Sequence, residues 1–324
     1  MKKAKKIAFI IALACVAAGA AISLSALAVI GFDVSRLNTM KFENNTYQVE
    51  ESFSHIRIEG AECDVRLLPS RDGVCTVVCS EGKNISHTVT VDGDTLKITR
   101  TDSRKWYERM GIYWGDEMSV TVYLPGRTYG DLFLKNLSGD ITVPGDFTFS
   151  RAEVHSTSGE IEYAAATDRG LTLKTTSGDL TVRDLTAGAL EIRSTSGDVT
   201  VHSAVVSGDV VVETVSGEIE LEGVNAQAMS VQSTSGDVEL ADTVAAGRME
   251  IKTVSGEIEL ERSDAESLWI KSTSGDVSGT VLSEKRFTTH TTSGSVNVPN
   301  IASPAAGTCE ITTTSGNIRL NYVN

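Results

Sequence analysis

Ser-Gly followed by a short polar residue, usually Asp or Glu, recurs through the last two-thirds of this 324-residue chain. Its glycines are Gly139, Gly159, Gly178, Gly197, Gly217, Gly236, Gly256, Gly275, Gly294 and Gly316, at spacings of 20, 19, 19, 20, 19, 20, 19, 19 and 22. A near-constant period of this length marks a solenoid, in which one repeat cannot bury its apolar face alone and stacks on its neighbours to do so.

Aligning the copies on glycine exposes the period-two alternation of strands. Seven residues before glycine stand Leu132, Leu171, Leu190, Val210 and Met229; five before it stand Leu134, Val154, Leu173, Ile192 and Val212. Two after it stand Ile141, Ile161, Leu180, Val199 and Ile219, and four after it are mostly Val or Leu, such as Val182, Leu221 and Leu260. Polar residues lie between them. Each copy therefore holds two short strands meeting at a corner, and the glycine is that corner, where positive φ is needed. The serine before glycine falls on the inward parity. A second small column, Ser156, Thr175, Ser194, Thr214, Ser233, Thr253 and Ser272, reads as inward hydroxyl ladders that satisfy one another along the stack. Coils stacked ~4.8 Å apart pair each strand with its equivalents above and below, and ten of them span about 45 Å. Val-Ser-Gly-Glu-Ile-Glu-Leu at 215–221 and 254–260 alternates with Thr-Ser-Gly-Asp-Val, a period of 39 that suggests duplication of a two-coil unit. Ser207-Gly208-Asp209 is off register and reads as an ordinary turn.

The chain opens with MKKAKK and then runs uncharged from Ile7 to Phe32. As a helix these residues span ~39 Å, enough to cross ~30 Å of hydrocarbon. The four preceding lysines put the N-terminus inside and the rest outside. The run exceeds a signal-peptide core, which favours an uncleaved anchor over cleavage near Ala26-Leu27-Ala28. Cys15 lies too far inside the run for a lipoprotein site. The chain thus divides into a cytoplasmic tail (1–6), a transmembrane anchor (7–32), a linker (33–45), irregular N-terminal coils (46–130) and regular repeats (131–324). The fold class is all-β, a parallel β-solenoid of about 19–20 residues per coil preceded by one transmembrane helix. Localisation is the cell membrane, single-pass, with the C-terminal domain outside the cytoplasm.

Apolar residues make up 40% of the chain and aromatics 6%, so the core is aliphatic. The net charge is −14, and beyond the N-terminal lysines there are 25 basic and 43 acidic residues. Such a body repels nucleic acid. Cys63, Cys75, Cys79 and Cys309 read as buried free thiols, with a bridge from Cys63 to Cys75 or Cys79 as the alternative; their spacing is not that of a zinc site.

Tyr-Leu-Pro at 123–125, the stretch Leu132-Phe-Leu-Lys-Asn-Leu-Ser-Gly-Asp-Ile141 and the serial Thr-Ser-Gly-Asp-Val motifs resemble the bacterial family known as putative adhesins, which includes LiaG-like and YvlB-like envelope proteins. The likeness covers nearly everything after the anchor. It implies a β-solenoid at the cell surface, sometimes linked to envelope stress, and carries no catalytic residues over.

The residues agree that this is not an enzyme. The acids beside glycine, Asp140, Glu160, Asp179, Asp198, Glu218, Asp237, Glu257 and Asp276, form a regular column, whereas catalysis needs a unique cluster. His55, His87, His155, His202 and His290 build no nucleophile–base set. One carboxylate per coil leaves few calcium ligands, and the glycine-rich calcium nonapeptide is missing. The column thus reads as turn bonding, and no cofactor or metal is expected. The threonines two before glycine make no flat ice-binding face, because lysine, arginine or histidine mostly stands four before it. Trp106 and Trp114, in an aromatic loop, and Trp269, outward six before its glycine, break the repeat and are candidate contact residues. The final strand leaves an unpaired edge that could self-associate. The expected function is an anchored, non-catalytic adhesin or envelope-stress scaffold with an envelope polymer or protein as partner; the alternative is a polysaccharide-active or cation-binding surface protein.

Overall fold

The computed structural model describes residues 2–29, 31, 41–106, 118–300 and 307–323. The chain falls into two compact units, one of residues 1–43, 81–86 and 102–117 and the other of 44–80, 87–101 and 118–324. The first unit contains the helix Lys2–Val29, whose stretch Ala12–Val29 is long and apolar enough to cross a membrane and buries none of its residues.

The second unit is a parallel β-solenoid. From Thr128–Ser138 to Val277–Val281, eight successive coils each contribute one strand before the glycine and one after it, and equivalent strands pair in parallel. Register follows the glycine alignment: Leu171 lies against Leu190, Leu190 against Val210, and Val210 against Met229. Because each coil repeats its predecessor, parallel in-register pairing stacks like on like. The columns five before and two after glycine are buried throughout these coils, as in Ile192, Val212, Val199 and Ile219.

The glycine corner has two causes. Gly139 to Gly275 all have positive φ, rising from 92° to 156° along the stack. A Cβ on Gly178, Gly197 or Gly217 would also collide with the carbonyl oxygen of the preceding corner glycine. Gly294 and Gly316 lack the left-handed φ but keep the collision, with the carbonyls of Gly316 and Gly275 respectively.

Several local expectations are corrected. The serine before glycine does not point inward: Ser177, Ser196, Ser216, Ser235 and Ser255 are exposed. Both residues before glycine are exposed in these coils, so the strand parity breaks there. The inward hydroxyl column is buried, but its members do not satisfy one another. The hydroxyls of Thr175, Thr214, Ser233, Thr253 and Ser272 have no partner, and Ser156 donates to the carbonyl of Ser158 at 2.9 Å. Equivalent atoms one coil apart stand ~4.8 Å from each other, too far for an O–H···O bond of ~2.8 Å.

Each coil also turns at more than one place. Six residues after the corner glycine, Asp184, Ser203, Gly223, Asp242 and Arg262 all adopt φ between 47° and 65°. Beyond that corner a third, shorter side buries small residues, among them Ala187, Ala204, Ala226, Ala245 and Ala265. Here a true hydroxyl clasp exists. Thr243 donates to the carbonyl of Leu221 at 3.0 Å, and the amide of Thr243 donates to Ser263 at 3.1 Å. Gly208 is a third corner rather than an incidental turn: it stacks on Gly188, and the amide of Gln227 donates to its carbonyl at 2.9 Å.

At both ends the spatial order departs from the chain order. His55–Glu62 pairs in parallel with Thr128–Ser138 on one side and Thr95–Asp102 on the other. Ser119–Leu124 then pairs antiparallel with Cys75–Gly82 through Thr76 to Cys79. At the far end, Gly307–Ser315 lies between Asp264–Lys271 and Lys285–Ser293, and Ile318–Tyr322 lies between Val277–Val281 and Val296–Asn297. The last strand of the chain is therefore internal, and the expectation that it forms the exposed edge is overturned. The inward residues explain the exchange. The inserted coil brings Cys309, Ile311, Ile318 and Leu320, all buried, whereas the outermost coil brings Thr289, Thr291 and a half-exposed Val296. The polar coil ends the stack, where one side meets water.

No disulfide joins the described cysteines: Cys63, Cys75, Cys79 and Cys309 are buried free thiols. Burial pushes the thiols of Cys63 and Cys75 up to about 11 and that of Cys309 up to about 12, which leaves them protonated and inert at neutral pH.

Candidate functional site

The strand before the corner glycine presents a mixed, largely basic column four residues upstream of it: His155, Lys174, Arg193, Glu213, Gln232, Lys252 and Lys271. Between Arg193 and Lys271 this column walls a shallow groove whose other wall includes Val215, Thr234, Val254 and Thr273. Arg193 bonds Glu191 at 2.7 Å and also pairs with Glu213 on the next coil. Trp269 stands on the same face, in register with Glu250 and Glu310. It is half-buried because cationic side chains cover it: Lys252 Nζ lies 5.2 Å and the Arg248 guanidinium 5.9 Å from its ring. Parallel stacking places these groups together although they lie up to 21 residues apart in the chain. Trp106 is exposed in the other unit, and Trp114 lies outside the described residues.

The strand after the glycine presents a different chemistry. Its first outward column is the acid beside glycine, and the aspartates there bond from coil to coil. Asp140 accepts the backbone N–H of Glu160 at 2.9 Å, Asp179 that of Asp198 at 2.9 Å, Asp198 that of Glu218 at 2.8 Å, Asp237 that of Glu257 at 2.7 Å and Asp276 that of Asn317 at 2.7 Å. Asp64 does the same for Asp140 at 3.0 Å. The Asn317 backbone N–H, aided by its side-chain amide, holds the Asp276 carboxyl below the usual carboxylate range. The aspartate is short enough to reach the next coil's amide along the stack. It thereby replaces a hydrogen bond that the corner cannot make backbone to backbone.

The next column carries uncompensated charge. Glu220, Glu239 and Glu259 stand in register on consecutive coils. Partial desolvation, followed by Glu218, Glu259, Glu220 and Asp237, raises the Glu239 carboxyl. A carboxyl with a raised folded pKa favours the folded state below its unfolded pKa, and that contribution is lost as pH rises through the folded value. Glu239 is exposed, so solvent screens the repulsion, and Glu239→Gln is expected to raise stability at pH 7 by no more than about 0.3 kcal/mol, with the gain vanishing near pH 4. Thermal melts of the full chain at the two pH values measure it. Alongside, His202 Nδ1 lies 2.8 Å from Glu222, and these two with Glu220 bring three ligand-type atoms within 4.8 Å of one another.

One group had no signal in the sequence. Lys285 is 2% exposed; its Nζ lies 2.5 Å from Asp264 and donates to the carbonyl of Ala265 at 2.6 Å and to Ser283 at 2.7 Å. Its position in the repeat is a corner filled elsewhere by Gly188, Gly208 or Gln227, and in the exchanged coil order it reaches Asp264 across the intervening Gly307.

These features define a three-cornered parallel β-solenoid whose outer faces are regular side-chain columns. The chain belongs to the Toastrack DUF4097 family, whose model matches residues 53–264 and 207–324. No curated protein matches it. Among solved structures, it resembles a putative lipid binding protein from Parabacteroides distasonis at 18% identity over 73% of this chain and 96% of that one, with a TM-score of 0.50. A putative adhesin from the same organism matches at 13% identity over 87% and 98%, with a TM-score of 0.47. One from Bacteroides fragilis matches at 18% identity over 87% and 97%, with a TM-score of 0.38. At these identities the likeness shows the fold alone.

Proposed function

We propose that this protein is a non-catalytic, membrane-anchored scaffold whose solenoid stands outside the cytoplasm and binds an envelope polymer through the face around Trp269. The anchor reading rests on the apolar stretch Ala12–Val29 behind four lysines. The observation that carries the binding reading is the cluster around Trp269. The acids beside glycine are used in bonds between coils, whereas on the other face Trp269 presents a half-buried ring flanked by the donors of Lys252 and Arg248. Aromatic and cationic anchors dominate binding surfaces of this kind. The test is co-sedimentation of the full chain, in detergent micelles, with purified envelope polysaccharide. Trp269→Ala is expected to weaken binding about tenfold, a loss of ~1.4 kcal/mol, with an unchanged circular dichroism spectrum. Binding equal to wild type would exclude this face. The grouping of His202, Glu220 and Glu222 favours a second reading, cation binding on the acidic face. Isothermal titration with Zn²⁺ checks that reading, since a mixed imidazole–carboxylate set suits zinc better than calcium.

A further inference from the structure

The coil Lys285–Asn297 follows the coil Asp264–Val281 at the ordinary chain spacing, yet another coil separates them. Gly275 and Gly294 are 19 residues apart, the ordinary coil-to-coil spacing, and elsewhere in the regular stack such neighbours are in contact. Here Gly316 stacks on Gly275, and Gly294 stacks on Gly316. The last coil has thus entered a slot between two coils that are spaced in sequence to close on each other.

The slot has a latch. Lys285 is in register with Gly307, and Gly307 in turn lies against the carbonyl of Glu266. Gly307 has no side chain, so Lys285 reaches across the inserted coil to Asp264 and Ala265 on its far side; a Cβ on Gly307 would stand 3.0 Å from Nζ. Tyr322, on the inserted coil, receives the amide of Lys285 at 3.1 Å and packs its ring 6.3 Å from Phe287. The inserted coil is therefore strapped to both neighbours, although the chain joins it to only one of them.

We infer that the slot between the coils 264–281 and 285–297 is a docking site for an extended strand pair, and that its second occupant is the coil 307–322 of another copy of this chain. The exchange loses no pairing. Each copy's Gly307–Ser315 would find the same registers, Leu268 to Cys309 and Cys309 to Phe287, in its partner as in itself. Swapping an identical element in this way is a low-cost route to a dimer, and inserting a strand pair between existing strands is strand addition by main-chain bonding. The nine residues of the connection, 298–306, are a longer link than the three residues between Val281 and Lys285. The Lys285–Asp264 contact sets how readily the slot opens.

The test uses the full chain in detergent micelles carrying Phe287→Cys, since positions 287 and 309 are paired neighbours on stacked coils ~4.8 Å apart, within disulfide range. Copies labelled with ¹⁵N and unlabelled copies are mixed, incubated and then oxidised, and the linked 287–309 peptides are weighed. Mixed-isotope linkages are expected after incubation and absent when oxidation precedes mixing. Adding Lys285→Met is expected to speed their appearance at least about tenfold. In the chain without Phe287→Cys, a thiol reagent should reach Cys309 before the buried Cys63, Cys75 and Cys79. Same-copy linkages only, or dimers that form without any mixed 287–309 linkage, would overturn the exchange. Protection of Cys309 equal to that of Cys79 would overturn the latch.

Discussion

Gly217→Ala should lower the stability of the solenoid by about 2–6 kcal/mol. Two independent effects add at this position. Its φ of 139° lies where side-chain-bearing residues are strained, worth ~1–3 kcal/mol. The new methyl would also overlap the carbonyl oxygen of Gly197, and overpacking of a close-packed stack costs another ~1–3 kcal/mol. Backbone, not a flexible side chain, is the obstacle, so relief requires the coils to part. Parting them would stretch the Asp198 bond to the amide of Glu218, which spans the same step. Gly145→Ala is the matched control. Its φ is ordinary and its nearest neighbour would be the carbonyl of Ala164 at 3.5 Å, so a change within about 0.5 kcal/mol is expected. Urea unfolding of both full-chain variants, followed by circular dichroism, separates them. Equal midpoints would mean that the corner glycines are not required by the stack.

What sequence could and could not reveal follows from how far each interaction reaches. The fold was legible because parallel in-register stacking maps the chain onto itself every 19 or 20 residues, so a column in space is a column in an alignment. Gly178, Ile192 and Val199 reveal their places for that reason. The second corner was not legible, because Asp184, Ser203, Gly223, Asp242 and Arg262 share a backbone angle and no chemistry. The same holds for the third side, whose alanines carry too weak an apolar signal to stand out. The hydroxyl column was located correctly, but the bonding assigned to it was wrong, since strand spacing rather than residue type sets whether two hydroxyls meet. At the ends, repeat logic itself misleads. A spacing of 19 between Gly275 and Gly294 predicts direct contact, and only the polarity of Thr289 and Thr291 hints that this coil belongs outermost. Of the candidate contact residues, Trp269 could be singled out as a departure from the repeat. Its cationic neighbours Lys252 and Arg248, both on the preceding coil 17 and 21 residues away, emerge only from the stacking.

Lys285→Met is expected to destabilise the C-terminal coils by about 3–5 kcal/mol, and Lys285→Met combined with Asp264→Leu is expected to recover most of that loss. The charge left behind decides both outcomes. Lys285 and Asp264 are both nearly inaccessible, with side chains 2% and 10% exposed, so each has given up most of its hydration. Together they are compensated, since the ammonium also donates to Ala265 and Ser283 and the Asp264 carboxylate accepts the amide of Ala265 at 2.8 Å. Methionine matches the length of the lysine stem but supplies no donor. The single substitution therefore preserves packing and strands a nearly inaccessible carboxylate between Ala245, Ala265 and the like-charged Glu266. Replacing the carboxylate as well removes the stranded charge, and buried pairs exchanged for apolar groups are often neutral in stability. Gly307 fixes the geometry of the comparison, because no other residue there leaves a channel for the lysine stem. Hydrogen exchange of amides in Gly307–Ser315, read in wild type, single and double variants, localises the effect to these coils. A single variant as protected as wild type would show that the pair contributes no net stability. A double variant as unprotected as the single would show that lost packing, not the orphaned carboxylate, is responsible.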